Sequence, residues 1–260
     1  MSLKSRLQDP LPAGYHRFIQ TVKSRRRRDD LNRLALIFHT DKWGSHSYTQ
    51  HYQRYFQPLR HEELNVLEIG VGGYKRPDQG GESLRMWKAY FPNSRIVGID
   101  LYDKTQLLER RIDIRQCDQT DSEALHRLSN EYGGFDIIID DGSHLNEHVI
   151  KTFEILFPLM RPNGIYAVED TQTAYWPTWG GGIDSPRTSM AFFKGLTDGL
   201  NHAEYPLEDY QSSYFDRNIV EIAFFHNLVL ICKGSNDETT NAPEFIQREL
   251  AAAKAGEGRV

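Results

Sequence analysis

FDIIIDDGSH, residues 135–144, decides how the rest of the chain is read. An apolar run of β-branched residues ends on two acids, a glycine and a histidine. Residues 165–170, IYAVED, follow the same plan: Ile165 to Val168 lead into Glu169 and Asp170. Runs this short, rich in Ile and Val and bounded by glycine, read as strands buried in a parallel sheet. Adjacent parallel strands deliver their C-terminal ends to one edge, where open α/β sheets bind ligands. Asp140, Asp141, His144, Glu169 and Asp170 are therefore expected to converge. Crowded carboxylates repel, and a hard divalent cation with oxygen ligands relieves the repulsion. Asp136, at the other end of its strand, reads as a surface residue.

Upstream, residues 65–73 read NVLEIGVGG, an apolar strand carrying an acid and then a glycine turn, which is how a doubly wound sheet begins. The spacing Glu68-x-Gly70-x-Gly72-Gly73 falls short of a full GxGxxG. A Gly/Pro-rich loop, YKRPDQGGES, intervenes before a helix from Ser83 to Phe91. Ser94 to Leu101 is a second strand ending on Asp100, an acid placed to accept from the two hydroxyls of a ribose. A third strand over 111–117 leads into Asp118 and Gln119, placed for an adenine edge. A helix over Asp121–Tyr132 is stopped by Gly133 and Gly134. Another spans Asn146–Leu159, between the two acid-ended strands.

Residues 171–186 hold Trp176, Trp179 and three consecutive glycines, 180–182. They are expected to form a mobile lid with aromatic faces for an acceptor, or an ordinary loop whose tryptophans pack on the core. A helix over 189–200 and a hairpin of Asn218–Phe225 and Leu228–Lys233, joined at His226-Asn227, complete the pattern. Ahead of the sheet, residues 15–22 and 31–38 show helical spacing. Tyr52, Tyr55 and Phe56 are expected to pack inward from an amphipathic helix, whereas Thr40, Asp41 and Lys42 offer polar groups at a helix end. Residues 1–13 read as a loose leader, and the polar tail carries a surface helix over 243–254. The chain is thus divided into a leader with helices (1–38), a main domain (39–234) and a tail (235–260).

The 260 residues suffice for one large domain with a buried core. A net charge of -5 argues against nucleic acid as the main partner, and the basic run Arg25–Arg28 is followed by its own counter-charges, Asp29 and Asp30. The two cysteines, Cys117 and Cys232, read as small core residues, not a disulfide framework. No signal peptide or bilayer-spanning run is read, so no membrane partner and a cytoplasmic setting are expected.

Five strand–helix units closed by a β-hairpin, with an acid in the first strand, a glycine turn and an acid ending the second, resemble the class I S-adenosylmethionine-dependent methyltransferases. The resemblance implies an α/β fold with a doubly wound, Rossmann-like seven-stranded sheet. It places the methionine part of the cofactor over Gly70 and Gly72 with Glu68 facing its ammonium, the ribose on Asp100, and the adenine by Asp118 and Gln119. Thr40, Ser83 and Asp140 are counted with the cofactor contacts, although Asp140, which is not assigned to metal, is placed either to face the cofactor or to support the strand end.

TDKWG at 40–44, LEIGVGG, GGESLRMW, GIDL, DDGSH and YAVEDTQTAYW, in this order, further resemble the magnesium-dependent O-methyltransferases of macrolide deoxysugars, of the type that methylates a sugar 2-hydroxyl in the mycinamicin and tylosin pathways. The match runs from about Leu34 to about Lys233. It implies Mg²⁺ held by Asp141, Glu169 and Asp170, with His144 as general base. An aliphatic hydroxyl is a very weak acid; a bound dication lowers its pKa, and an imidazole, which titrates near neutrality, takes the proton. The implied acceptor is a small molecule, a glycosylated natural product. Those enzymes carry a further N-terminal domain that helps assemble an oligomer and shape the acceptor site. About thirty residues precede the match here, so the acceptor and a homo-oligomeric state stay open. A catechol-type O-methyltransferase is the alternative; the Glu-Asp pair and the histidine favour the sugar. A nicotinamide oxidoreductase is disfavoured by the hairpin and the incomplete glycine motif. A binding protein without turnover is disfavoured by the complete set of Asp141, His144, Glu169 and Asp170.

Overall fold

In the computed structural model, residues 13–205 and 210–248 are described. The leader expected over residues 1–13 lies almost wholly outside them. The tail helix is described only for 244–248, which are helical.

Seven strands, β1 (Asn65–Ile69), β2 (Arg95–Asp100), β3 (Ile112–Gln116), β4 (Ile137–Asp140), β5 (Ile165–Glu169), β6 (Ile219–Phe225) and β7 (Leu228–Lys233), form one sheet in the order β3-β2-β1-β4-β5-β7-β6. β1, β4 and β5 run parallel, with Leu67 opposite Ile138 and Ile138 opposite Tyr166. β7 is antiparallel to both β5 and β6. The strand order reverses between β1 and β4, the kind of switch point that opens a crevice beyond the strands' C-terminal ends. The helices are α1 (Ala13–Ser24), α2 (Leu31–Phe38), α3 (Thr49–Phe56), α4 (Glu82–Tyr90), α5 (Ser122–Tyr132), α6 (Asn146–Leu159), α7 (Ser189–Gly199) and α8 (Tyr214–Asn218).

By internal packing the described residues divide into two compact units, one within residues 13–64, 71–98 and 102–115, the other within 65–70, 99–101, 116–205 and 210–248. In the first, Asp30 caps α2 by accepting from the Arg33 amide at 2.9 Å, and Leu31, Leu34, Ala35 and Phe38 are buried at helical spacing. Tyr52 and Phe56 of α3 are fully buried as expected, with their rings 5.4 and 5.8 Å from Trp87 of α4; Tyr55 is only half-buried. Gly72, Gly73, Gly80 and Gly81 all have positive φ. A Cβ on Gly73 would sit 2.3 Å from the Gln79 carbonyl oxygen, so the loop after β1 closes on itself only because glycine stands there. Fully buried Lys104 secures the same loop, its ammonium donating to the carbonyls of Arg76 at 2.7 Å and Gln79 at 3.2 Å.

In the second unit, Asp136 is not the surface residue that the sequence suggests. It accepts from the Asn65 amide at 2.7 Å and pairs with Arg161 at 3.0 Å, tying the starts of β1 and β4 to the turn before β5. α8 is also unanticipated: Ser213 and Asp216 form a capping box just ahead of β6. Lys233, the last residue of β7, is 7% exposed and donates to Phe157, Pro158 and Met160 carbonyls at 3.0, 3.0 and 2.8 Å. One ammonium thus uses its three donors on the orphaned carbonyls at the negative end of α6. Lys233→Met keeps the apolar stem and strands those acceptors; it should cost about 2–4 kcal/mol. Thermal denaturation should show Tm falling by roughly 5–15 °C, and an unchanged Tm would show that the ammonium contributes nothing.

Among the described residues no helix is long and apolar enough to cross a membrane. Cys117 and Cys232 are both free thiols, half-buried and not fully in the core.

Candidate active site

The loop from β4 to α6 is built by contacts that the sequence string does not announce. As β4 ends, the Asp141 amide donates to the Ile69 carbonyl at 3.0 Å, drawing the loop against the end of β1. This approach needs Gly70, whose φ is 92° and where a Cβ would fall 2.1 Å from the Asp141 carbonyl oxygen. Gln119 then fixes the next step. Its side-chain oxygen accepts from the Ser143 amide at 2.8 Å, and its amide nitrogen donates to Asp140 at 3.3 Å and Thr152 at 3.1 Å. Gly142 leaves room for it, since a Cβ there would meet the same oxygen at 2.3 Å. The turn therefore throws His144 into the left-handed region, φ 56°, before α6 starts at Asn146.

The Asp140 carboxyl is buried, and burial pushes its pKa up to about 7 against the pull of the Gly142 amide, Tyr166 hydroxyl and Gln119 amide. Those three donors stand at 3.3–3.4 Å, too long to offset full desolvation. Asp140 faces inward as a support of the strand end.

On the neighbouring strand, Glu169 is the last residue of β5 and is buried, while Asp170 leaves the strand with φ 52°. Consecutive strand residues point to opposite faces, and the left-handed turn redirects Asp170. Asp141, His144 and Asp170 come together: one ligand atom from each lies within 4.8 Å of the others. His144 Nε2 is 3.9 Å from Asp141 Oδ1 and 3.7 Å from Asp170 Oδ2, and the three side chains are 24%, 25% and 23% exposed, open enough to meet a ligand. Glu169 is not a member of this group.

The remaining candidates in this unit are placed as follows. Glu68 is fully buried in β1 opposite Ile139, and Asp100 ends β2 half-buried. Asp118 is exposed, and the Thr120 amide and hydroxyl, each 2.8 Å from its Oδ1, hold its carboxyl below the usual range. Gln119 is engaged within the protein, which suits a positioning role better than an adenine contact. Thr40, Gly72 and Ser83 belong to the first unit: Thr40 follows the left-handed C-cap of α2, and Ser83 is the second residue of α4.

The segment after Asp170 is structured. It makes 3-10 turns at Thr171–Tyr175 and Pro177–Trp179, and the glycine triplet folds back, Gly181 and Gly182 amides donating to the Trp176 and Ala174 carbonyls at 2.9 Å each. Buried Asn146 pins it: its amide donates to the Trp179 carbonyl at 2.9 Å, while its oxygen accepts from the Ser189 amide at 2.7 Å and hydroxyl at 3.0 Å. Trp176 and Trp179 pack edge to face, 5.4 Å apart. Tyr175 and Trp176 stay 45% and 46% exposed, so the second expectation, tryptophans packed on the core, fails for Trp176.

No family model matches the chain. Over 229 residues it is 47% identical to the mycinamicin VI 2''-O-methyltransferase of Micromonospora griseorubida, covering 86% of this chain and 57% of that protein. Over 235 residues it is 48% identical to the demethylmacrocin O-methyltransferase of Streptomyces fradiae, covering 87% and 59%. The solved structure of the MycE methyltransferase of the mycinamycin biosynthetic pathway, in complex with Mg, SAH and mycinamycin VI, superposes with a TM-score of 0.78 at 45% identity, covering 85% of this chain and 59% of that one. The chain is a homologue of sugar O-methyltransferases and has the class I methyltransferase fold. It spans less than two thirds of the length of the relatives it matches. In this methyltransferase fold the Asp141–His144–Asp170 group stands at the C-terminal ends of β4 and β5, one strand over from the Gly70 turn.

Proposed function

We propose that this chain carries the catalytic domain, over residues 39–234, of a cytoplasmic Mg²⁺-dependent O-methyltransferase that moves a methyl group from S-adenosylmethionine to a sugar hydroxyl of a glycosylated natural product of the macrolide or polyketide type. The observation that carries this is the grouping of two carboxylates and an imidazole within 4.8 Å at the sheet edge of a chain 47–48% identical to O-methyltransferases of macrolide pathways. The donor set fits a hard dication, since oxygen ligands are what Mg²⁺ prefers.

Bound Mg²⁺ would lower the pKa of the acceptor hydroxyl, and S-adenosylmethionine would supply the methyl group. Asp141 and Asp170 are the oxygen ligands in this reading, with Glu169 assigned beside them on the resemblance alone. His144 Nε2, within 4 Å of both carboxylates, takes the hydroxyl proton. Glu68, Gly70, Asp100 and Asp118, with Thr40, Gly72 and Ser83, are assigned to the cofactor. The exposed face of Trp176 receives the apolar C–H face of the sugar or its aglycone, held in place through Asn146. Trp176→Ala should raise the acceptor KM about tenfold, the worth of one aromatic contact. Calorimetry should find S-adenosylmethionine affinity unchanged; an unchanged KM would remove Trp176 from the acceptor site.

The function is tested by incubating the protein with Mg²⁺, S-adenosylmethionine and either desmethyl glycosylated macrolides or catechols, and following products by mass spectrometry. Methylated macrolide glycoside is expected. Turnover of catechols alone would replace the sugar reading with the catechol one.

A further inference from the structure

Two residues of the acid–imidazole group, His144 and Asp170, hold left-handed backbones, φ 56° and 52°. For non-glycine residues that conformation is uncommon and persists where the surroundings over-determine it. Thr173, in the 3-10 turn after β5, ties the two together. Its hydroxyl donates to the His144 carbonyl at 2.9 Å and to the Asp170 carbonyl at 3.0 Å, a three-centre hydrogen bond from one proton. Its amide also donates to the Asp170 carbonyl at 3.2 Å. Thr173 is itself buried, 5% exposed, so bulk water does not readily compete for its hydroxyl. The loop after β4 and the loop after β5 are 29 residues apart in sequence at this contact.

We infer that Thr173 is a positioning residue for the metal–base group: its side-chain hydroxyl clamps the backbone of the proposed base to the backbone of a proposed ligand and so fixes the gap into which the dication fits. Thr173 touches neither acceptor nor cofactor in this role. It acts as outer partners of a metal site do, by orienting groups that bind directly, and loss of such a partner weakens metal affinity by about 10–100-fold. The inference rests on the proposed metal site, so its test reads metal binding directly.

Mn²⁺ affinity is measured by electron paramagnetic resonance on the wild type and on Thr173→Val, Thr173→Ala and Thr173→Ser, with S-adenosylmethionine affinity and Tm determined in parallel. Val and Ala remove the clamp and should weaken Mn²⁺ binding by about 10–100-fold, whereas Ser restores the hydroxyl and should stay within about threefold of the wild type. Cofactor affinity should be unchanged throughout, which a general loss of structure would not permit. Should Thr173→Val fail to fold, Thr173→Ala, which introduces nothing larger, carries the same expectation. Wild-type Mn²⁺ affinity in Val or Ala overturns the inference, as does loss in Ser equal to that in Val. A wild type that takes up no Mn²⁺ overturns the proposed metal site itself, and the role of Thr173 with it.

Discussion

His144→Ala should lower kcat/KM for methyl transfer by about 10²–10⁴-fold, the usual contribution of a positioned general base, if His144 has the role proposed for it. In free energy that is about 3–5 kcal/mol of barrier. The imidazole is 24% exposed, and its Nε2 is held between two carboxylates rather than paired with a single one. Such a ring can serve as base or as metal ligand, and the variant separates the two roles. As base, its loss lowers kcat while Mn²⁺ affinity stays near the wild-type value. If Mn²⁺ binding falls along with kcat, His144 is a ligand; full activity in the variant would remove it from the chemistry.

Asp141→Asn and Asp170→Asn should give the second large effect. Each substitution keeps shape and removes one anionic oxygen donor. Asparagine still offers a carbonyl oxygen, so the loss reports charge more than geometry. A directly bound carboxylate matters more than an outer partner, so Mg²⁺ affinity should fall by at least about 10²-fold. Activity should be regained only in part at high Mg²⁺. The two losses should not add if, as proposed, both residues serve one ion. Chelation by EDTA should abolish wild-type turnover and added Mg²⁺ restore it. Turnover insensitive to EDTA, or variants with wild-type Mg²⁺ dependence, would leave the pair of aspartates without a role in the reaction.

Much of the sheet was legible because its cues are local. Phe135 to Asp141 and Ile165 to Asp170 show Ile and Val runs, a glycine border and a pair of acids, and β4 and β5 end within a residue of the expected place. The hairpin was legible for the same reason, and Asn227 at its turn has φ 60°. α8 was missed because its five residues are too few to show a helical period, and its cue, Ser213 with Asp216, is brief. Lys233 shows a different limit: a lysine ending a strand reads as a solvated charge, and only the packing of β7 brings it to α6, 73–76 positions earlier.

The candidate site was legible in membership more than in arrangement. Adjacent acids such as Glu169 and Asp170 look equivalent in a string. Whether both face one point depends on where the strand stops and how the chain turns, and the left-handed Asp170 decides that. Gln119 reads as a cofactor contact because it follows a strand end, yet its amide is drawn inward by Asp140, Thr152 and the Ser143 amide. Thr173 lies inside EDTQTAYW, but nothing local distinguishes it from Thr171; its partner His144 comes from another loop.

Anomalous diffraction from crystals grown with Mn²⁺ and S-adenosylhomocysteine asks most directly whether these aspartates hold a metal beside the base. One strong peak is expected about 2.2 Å from carboxylate oxygens of Asp141 and Asp170, with the His144 ring adjacent but not ligating. No peak between them, or carboxylates already neutralised by lysine or arginine, would contradict it.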